Sequence, residues 1–214
     1  MSIRVKVCGM TKFDQVQQLA DLGIDYLGFI FYDQSPRFAA NSFNDHEIEL
    51  ISSLPLSRVG VFVNEPIEHL ANTVYKWKLD YVQLHGDESP VYCHAVSSIC
   101  KVIKAFRIDP AEDVAALSKA YKDVSYFLFD TKSQLYGGSG MKFNWEQLLV
   151  PLHAEYFLSG GISKDDVNSL VEFNKKANSM YAIDINSKFE VSPGEKDIDL
   201  ITNFVQQLKN VENE

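Results

Sequence analysis

Residues 3–31 read IRVKVCGMTKFDQVQQLADLGIDYLGFIF, and this stretch contains the pattern that decides the fold. Two apolar runs, Ile3–Val7 and Tyr26–Phe31, are nearly continuous rather than alternating, which is typical of strands buried on both faces. Between them, apolar residues recur at helical spacing after Thr11, and Gly23 ends the helix. The stretch therefore predicts two parallel strands joined by a crossover helix.

The same pattern repeats along the chain without a linker or a change of composition. Helix-start signals, such as Asn44 with Glu47 and Ser89 with Pro90, lie between the strands. Eight strands alternating with eight helices predict an α/β fold, a single (β/α)8 TIM barrel that forms one catalytic domain over residues 1–214. The eight apolar runs are Ile3–Val7, Tyr26–Phe31, Arg58–Val63, Tyr81–Leu84, Lys101–Phe106, Tyr126–Phe129, Tyr156–Leu158 and Tyr181–Ile185.

The rival fold is an open, doubly wound sheet. A G-x-G-x-x-G string after the first strand would favour it, and none is present there. One of the eight barrel helices is expected to begin at Asn144, which has Gln147 three residues on.

Composition limits the classes of partner. The chain has 214 residues and a formal net charge of −9, which disfavours nucleic acid because phosphate contacts need a basic face. No stretch approaches the roughly 18 apolar residues of a membrane span, and the charged N-terminus lacks the apolar core of a signal peptide. Three cysteines without metal-ligand spacing argue against a disulfide framework and a cysteine metal site. We therefore expect a cytoplasmic protein.

Active sites of such barrels lie at the C-terminal ends of the strands, so residues there deserve most weight. Lys6 and Cys8 share one face of the first strand, and a nearby ammonium lowers the pKa of a thiol. Cys8 is therefore a candidate base or nucleophile near neutral pH; the alternative is a small buried residue beside a turn glycine. Cys8 and His85 could form a nucleophile–base pair, but the sequence does not identify the third residue that would orient the histidine.

Two carboxylates end strands of the predicted barrel. Asp130 follows an apolar run, so its side chain is expected to lose hydration and to hold a proton for general acid catalysis. The alternative is an Asp that caps a backbone turn. Asp184 is expected to pair with Lys6 or Arg37, or to contact a ligand hydroxyl. His85 either orients a ligand or a proton, or is a hydrogen-bonded structural residue.

An anion site is expected where the seventh and eighth strands end. Gly160 and Gly161 precede a helix start, where backbone N–H groups and the helix dipole bind phosphate. Asn186 and Ser187 supply the second half, as in other phosphate-binding barrels. Arg37 follows a Pro-fixed turn and is suited to a bidentate contact with a carboxylate or a phosphate, although a surface Arg is the alternative. A protein with a negative net charge can therefore bind a small anion, because nearby backbone N–H groups and a cation such as Arg37 offset the charge of that anion.

Eleven short sequence motifs, spread in order over nearly the whole chain, together resemble those of the phosphoribosylanthranilate isomerase family. Their combination is specific. The opening Cys-Gly-hydrophobic-Thr together with Ser-Pro-Arg is the most specific part. The strings are Lys6–Thr11, Gly28–Phe31, Ser35–Arg37, Val59–Asn64, Gln83–Gly86, Phe129–Asp130, Gly138–Gly140, Phe143–Trp145, Leu158–Ile162, Asp184–Ser187 and Pro193–Asp197.

The resemblance implies an enzyme of tryptophan biosynthesis that acts on N-(5'-phosphoribosyl)anthranilate. The reaction is an Amadori rearrangement of an aminoaldose to an aminoketose, with no cofactor and no metal. By resemblance the general base falls on Cys8, the general acid on Asp130 and the carboxylate-binding residue on Arg37. The partner is then a small phosphosugar, and the chain is expected to be a monomer or a homodimer.

Two positions depart from the family's usual pattern. Lys188 follows Ser187 where a small residue is usual, so it either lies over the phosphate or points to solvent. Asn144 stands where an Asp is usual, and it can still cap a helix.

Two other kinds of function stay open at this point, another barrel enzyme and a non-catalytic ligand-binding barrel. A sugar-phosphate epimerase would want metal ligands at several strand ends, and an aldolase would want a Schiff-base lysine, for which only Lys6 and Lys104 lie on strands. A non-catalytic ligand-binding barrel would have no reason to retain Cys8, Arg37 and Asp130 together.

Overall fold

The computed structural model describes residues 3–109, 112–131 and 144–212. The string Gly138–Gly140 and the residue Phe143 therefore lie outside the described residues. Eight parallel strands close into a barrel in chain order, which confirms the predicted fold class. The strands are β1 (Arg4–Cys8), β2 (Tyr26–Ile30), β3 (Ser57–Phe62), β4 (Tyr81–Leu84), β5 (Lys101–Ile108), β6 (Tyr126–Thr131), β7 (Tyr156–Leu158) and β8 (Met180–Ile185).

A short antiparallel hairpin follows β8 and consists of β9 (Glu190–Ser192) and β10 (Glu195–Lys196). In the described part of the chain, seven α-helices pack around the barrel. They are α1 (Phe13–Asp21), α2 (Asp45–Ser53), α3 (Ile67–Trp77), α4 (Pro90–Ser97), α5 (Val114–Ala120), α6 (Val167–Lys176) and α7 (Ile198–Glu212). No helix among these is both long and apolar enough to cross a membrane.

The helix-start signals are correct at some places and wrong at others. Asn44 forms a capping box with Glu47, and the Ser89 side chain caps α4. Thr11 does not cap α1, since its hydroxyl donates to the backbone oxygen of Gly194 at 2.6 Å. The start of α1 is therefore shifted to Phe13, and Thr11 instead fastens the hairpin to the first loop.

The helix predicted from Asn144 is wrong for the described residues. Between β6 and β7 they form only a 3₁₀ turn, Trp145–Leu148, in which Asn144 accepts a hydrogen bond from the backbone of Glu146. Pro151 explains why this element is short. A proline has no backbone N–H group, so a helix that began at Asn144 would lack a backbone hydrogen bond at residue 151.

Aromatic side chains fill the N-terminal end of the barrel lumen. They come from the first or second residue of their strands, and neighbouring rings are 4.4–6.2 Å apart. The hydroxyls of Tyr26 and Tyr181 lie 2.7 Å apart. This aromatic layer closes the N-terminal end of the barrel, so a site can lie only at the C-terminal end. Its members are Tyr26, Tyr81, Tyr126, Phe157 and Tyr181.

Candidate active site

Cys8 is the last residue of β1 and is buried. Lys6 shares its face of the strand, whereas Val5 and Val7 pack into the layer beneath the helices. Gly28 of β2 stands opposite Cys8, and a Cβ at position 28 would lie 2.7 Å from Sγ of Cys8. The absence of a side chain at Gly28 therefore gives the thiol its room.

Lys6 and Asp184 form a buried ion pair beside Cys8. Nζ of Lys6 donates to Oδ1 of Asp184 at 2.8 Å, across the neighbouring strands β1 and β8. Burial lowers the pKa of Lys6, but the Asp184 carboxylate and Cys8 raise it, and the net direction is upward. Burial also raises the pKa of Asp184, against the effect of Lys6. Of the two ion pairs expected for Asp184, the one with Lys6 is present in the described residues.

The predicted lowering of the pKa of Cys8 is wrong. Burial raises the pKa of the thiol above its ordinary value, and Asp184 adds to the rise. Lys6 and Lys196 both lower the pKa but do not compensate for the lost hydration. The thiol form therefore predominates at neutral pH, and only a small fraction of Cys8 is the thiolate that a base requires.

Asp130 leaves the barrel at the end of β6, across the lumen from Cys8. Its side chain is 29% exposed, so it is less desolvated than the apolar run before it suggests. Oδ2 lies 3.6 Å from Nε2 of His85. Asp130 also acts electrostatically on Asp184, which links the two sides of the site.

His85 is held by Gln83, which sequence reasoning did not single out. Nε2 of the Gln83 amide and Nδ1 of His85 are 2.8 Å apart. Because an amide NH₂ group can only donate, Nδ1 accepts and the ring proton lies on Nε2. His85 therefore presents an N–H group toward the Asp130 carboxylate.

The loop that carries His85 is fastened by a second buried ion pair. Nζ of Lys104 donates at 2.8 Å both to Oε2 of Glu88 and to the backbone oxygen of Gly86. Glu88 accepts in turn from the backbone N–H groups of Asn64 and Gly86. The two side chains are each 2% exposed, so neither charge has water as a substitute partner.

We predict that Lys104→Met lowers the free energy of unfolding by about 3–5 kcal/mol, since it leaves the Glu88 carboxylate buried without a cation. Urea denaturation measures the loss. Lys101→Met is the matched control, because this lysine is exposed on the same strand and its ammonium lies over the ring of Tyr81, so its loss should stay below about 1 kcal/mol. Equal losses in the two variants would contradict the prediction.

The expected phosphate residues lie at the ends of two neighbouring strands. Gly160 and Gly161 follow β7 with φ of 92° and 69°, a left-handed conformation that a side chain would strain. Asn186 and Ser187 follow β8 in the adjacent turn. The expected helix start is present as a capping box, in which Ser163 and Asp166 satisfy each other.

Arg37 is oriented by Glu190, a carboxylate that sequence reasoning did not assign. Nε of Arg37 lies 2.9 Å from Oε1 and 3.0 Å from Oε2 of Glu190, and Nη2 lies 2.6 Å from Oε2. Glu190 raises the pKa of Arg37, against the effect of burial, so the guanidinium stays charged. The backbone N–H of Arg37 donates to Oγ of Ser35, as expected of a rigid turn. Glu190 holds one edge of the guanidinium, and the Nη1 side remains for a ligand.

Lys196 is the other functional residue that the sequence did not reveal. Its side chain is fully buried, and Nζ donates at 2.8 Å to Oδ1 of Asn186 and to Oε1 of Glu190. Glu190 and Lys196 lie on either side of the turn at Ser192-Pro193-Gly194, and charged residues beside a turn are not a distinctive sequence signal. Only the folded hairpin shows that the side chains of Glu190 and Lys196 point inward toward the strand ends.

Some expected contacts are absent. His85 is engaged by Gln83 and Asp130, and no contact joins it to Cys8 in the described residues, so the pair considered for nucleophilic catalysis is not formed. Within the same residues, no group of three or more His, Cys, Asp or Glu side chains is arranged to hold a metal ion.

Comparisons with known proteins cover the chain almost from end to end. The model of the family described as N-(5'phosphoribosyl)anthranilate (PRA) isomerase matches residues 5–207. A relative named N-(5'-phosphoribosyl)anthranilate isomerase, from Parabacteroides distasonis, is 40% identical over 207 residues, which cover 95% of this chain and 92% of the relative.

Two solved structures agree with the sequence comparison. Phosphoribosyl anthranilate isomerase from Thermotoga maritima superposes with a TM-score of 0.82 at 33% identity, over 97% of this chain and 99% of that chain. A phosphoribosyl anthranilate isomerase in complex with reduced 1-(o-carboxyphenylamino)-1-deoxyribulose 5-phosphate has a TM-score of 0.78 at 30% identity, with the same coverage. The chain belongs to the N-(5'-phosphoribosyl)anthranilate isomerase family.

Proposed function

We propose that the chain isomerises N-(5'-phosphoribosyl)anthranilate to 1-(2-carboxyphenylamino)-1-deoxyribulose 5-phosphate, with Asp130 as general acid and Cys8 as general base. The observation that carries the assignment of roles is the placement of a carboxyl group and a thiol at the same rim of the barrel, at the ends of β6 and β1. A sugar bound between them has the acid on one side and the base on the other.

Asp130 serves the first chemical step. As the ribose ring opens, the ring oxygen takes a proton from the Asp130 carboxyl group, and the anthranilate nitrogen forms an iminium with C1′. The N–H group on Nε2 of His85 lies 3.6 Å from Oδ2 and places a partial positive charge beside the carboxylate that remains. His85 is therefore proposed as a ligand-orienting residue that also acts on the acid.

Cys8 serves the second step. Its thiolate removes the proton from C2′ of the iminium, which gives an enolamine, and this tautomerises to the ketone. Atoms and electrons balance within the substrate, so the isomerisation requires no cofactor. Lys6 remains paired with Asp184 throughout, and this pairing disfavours the Schiff-base lysine of an aldolase. Lys104, the other strand lysine, is likewise engaged by Glu88.

The two ends of the substrate are held by different groups. Backbone N–H groups at Gly160 and Gly161, with Asn186 and Ser187, are proposed to bind the 5′-phosphate. Arg37 is proposed to bind the anthranilate carboxylate. Anchoring both ends fixes the sugar between the acid and the base.

The setting proposed for this reaction is the cytoplasm, where the three free cysteines would stay reduced. The partner is the small phosphosugar, with no nucleic acid or membrane partner, and the proposed assembly is a monomer or a homodimer.

A tryptophan auxotroph that lacks this isomerase tests the proposal in cells. The gene for the chain is expected to restore growth without tryptophan, whereas the Cys8→Ala and Asp130→Asn variants are not. Growth restored at the unmodified rate by either variant would overturn the assigned roles.

We predict that Arg37→Met lowers kcat/KM roughly tenfold to hundredfold, the value of a hydrogen bond to a charged group. The loss should largely disappear when the substrate is the aniline analogue, which lacks the carboxylate. Arg58→Met is the matched control, because Arg58 is also ion-paired, with Asp80, but lies at the opposite end of the barrel. An equal loss with both substrates would show that Arg37 does not bind the carboxylate.

A further inference from the structure

A cluster of buried charges surrounds Cys8 and joins three parts of the fold. In this cluster, Lys6 pairs with Asp184 at 2.8 Å, and Glu190 binds both Arg37 and Lys196. The isomerase roles proposed above use Cys8, Asp130 and Arg37, and Glu190 orients Arg37, but the Glu190–Lys196 pair has no task of its own. Both side chains of that pair are nearly inaccessible, at 3% and 0% exposure.

The geometry places the Lys196 ammonium next to the loop that begins at Cys8. A Cβ at Gly9 would lie 3.0 Å from Oδ1 of Asn186, and the same oxygen accepts from Nζ of Lys196 at 2.8 Å. The side chain of Arg37 crosses Gly9 as well, 2.6 Å from that Cβ position. Arg37 and Asn186, the residue that accepts from the Lys196 ammonium, therefore both lie beside Gly9, which follows Cys8 in the chain.

The hairpin is held firmly enough to keep Lys196 in this position. Nε2 of Gln15 on α1 donates to the backbone oxygen of Lys196 at 2.8 Å, and the backbone N–H of Lys196 donates to Oε1 of Gln15 at 2.9 Å. Thr11 binds the backbone of Gly194 at the turn. These contacts fix a lysine that lies 188 positions after Cys8 in the chain.

The basic side chains of the cluster outnumber its carboxylates by one, and burial lowers the pKa of Lys196 against the effects of Glu190 and Cys8. Lys6, Arg37 and Lys196 are cations, whereas only Asp184 and Glu190 are carboxylates among the charged side chains of the cluster in the described residues. A net buried charge is costly unless a counter-charge forms nearby. A Cys8 thiolate would neutralise it, because the thiol lies among these groups.

We propose that Lys196 is a positioning residue for the isomerisation, which acts by stabilising the thiolate form of Cys8. Its ammonium has three N–H donors, of which Asn186 and Glu190 take two, and no other described residue takes the third, which can therefore face a negative charge at the site. Glu190 opposes this effect of Lys196 on the thiolate, because its carboxylate partly neutralises the ammonium. The role rests on the proposed function of Cys8 as the base.

The charged groups that act on Cys8 in the described residues enter this balance, and Glu190 on β9 enters it through Arg37 and Lys196. Lys6 lies on the same strand, Asp184 on β8, Arg37 in the loop after β2, and Lys196 on β10. The neighbouring strand β2 presents Gly28 and therefore no charge. Removing Lys196 should destabilise the thiolate, whereas removing the charge of Glu190 should stabilise it.

The test is a titration of the Cys8 thiolate by its ultraviolet absorbance, as the difference between each protein and the same protein with Cys8→Ser. Lys196→Met is expected to raise the pKa of Cys8 by about one unit or more, which is a tenfold smaller thiolate fraction at a given pH below that pKa. Glu190→Gln is expected to lower the pKa of Cys8, and Lys196→Arg to restore it toward the original value.

Lys12→Met is the matched control, since Lys12 is an exposed lysine that pairs with Glu195 beside Lys196 and should leave the titration unchanged. If Lys196→Met does not fold, the pKa of Cys8 in Glu190→Gln, which is expected to fall, still tests the proposal. An unchanged titration in the folded variants, or shifts of Lys196→Met and Glu190→Gln in the same direction, would overturn the proposal. The titration needs no substrate, so its failure is distinct from failure of the isomerase assignment.

Discussion

Asp130→Asn is expected to lower kcat about 10²–10⁴-fold, the usual contribution of a general acid. The amide has nearly the shape of the carboxyl group but no proton to give to the ring oxygen. The fold should survive, because Asp130 is partly exposed at the rim rather than part of the core. Steady-state kinetics and the circular dichroism spectrum of the variant measure the two expectations.

A second carboxylate serves as the control for this substitution. Asp123→Asn changes an exposed residue that pairs with His94 before β6, and it should keep kcat within twofold of the original, roughly the effect of a surface change. If Asp130→Asn kept more than half of the turnover, or if both variants lost it equally, Asp130 would not be the acid.

Cys8→Ser is expected to lower kcat/KM about 10²–10⁴-fold, because a serine hydroxyl at this site does not ionise and cannot take the C2′ proton. Cys100→Ser is the matched control: its thiol is partly buried and lies just before β5, away from the rim. A Cys8→Ser variant with the activity of the control would contradict the role of the base.

The pH dependence of the unmodified enzyme follows from the raised pKa of Cys8. The thiolate fraction of Cys8, measured by its ultraviolet absorbance, is expected to rise about tenfold per pH unit while the pH stays below the pKa of the thiol. The rise should continue beyond the pH at which an ordinary thiol is half ionised. A thiolate fraction that levels off near neutral pH would show that the cations around Cys8 outweigh its burial.

The fold could be predicted because its signals are local and repeated. Each apolar run is long enough to mark one strand, and alternation along β1 already places Lys6 and Cys8 on one face. Both expectations are confirmed by the closed barrel and by the Lys6–Asp184 contact. The helix expected from Asn144 failed because Pro151 limits the segment that follows it.

The electrostatics of the site could not be predicted in the same way. Glu190 lies 153 positions from Arg37 in the chain, and Lys196 is brought to Asn186 only by a hairpin that binds Gln15. The direction of the pKa of Cys8 depends on the sum of burial and several charges. A sequence shows the neighbouring ammonium of Lys6, but it does not show how completely water is excluded from the thiol.

The most direct test of the central claim is an assay of the purified chain with freshly prepared N-(5'-phosphoribosyl)anthranilate. The decay of substrate fluorescence is followed without added metal, and the product is identified by mass spectrometry. We expect the decay to be faster than the spontaneous breakdown, and the product to retain the full mass of the substrate as 1-(2-carboxyphenylamino)-1-deoxyribulose 5-phosphate. A decay no faster than the spontaneous rate, or one that yields only free anthranilate, would contradict the assignment.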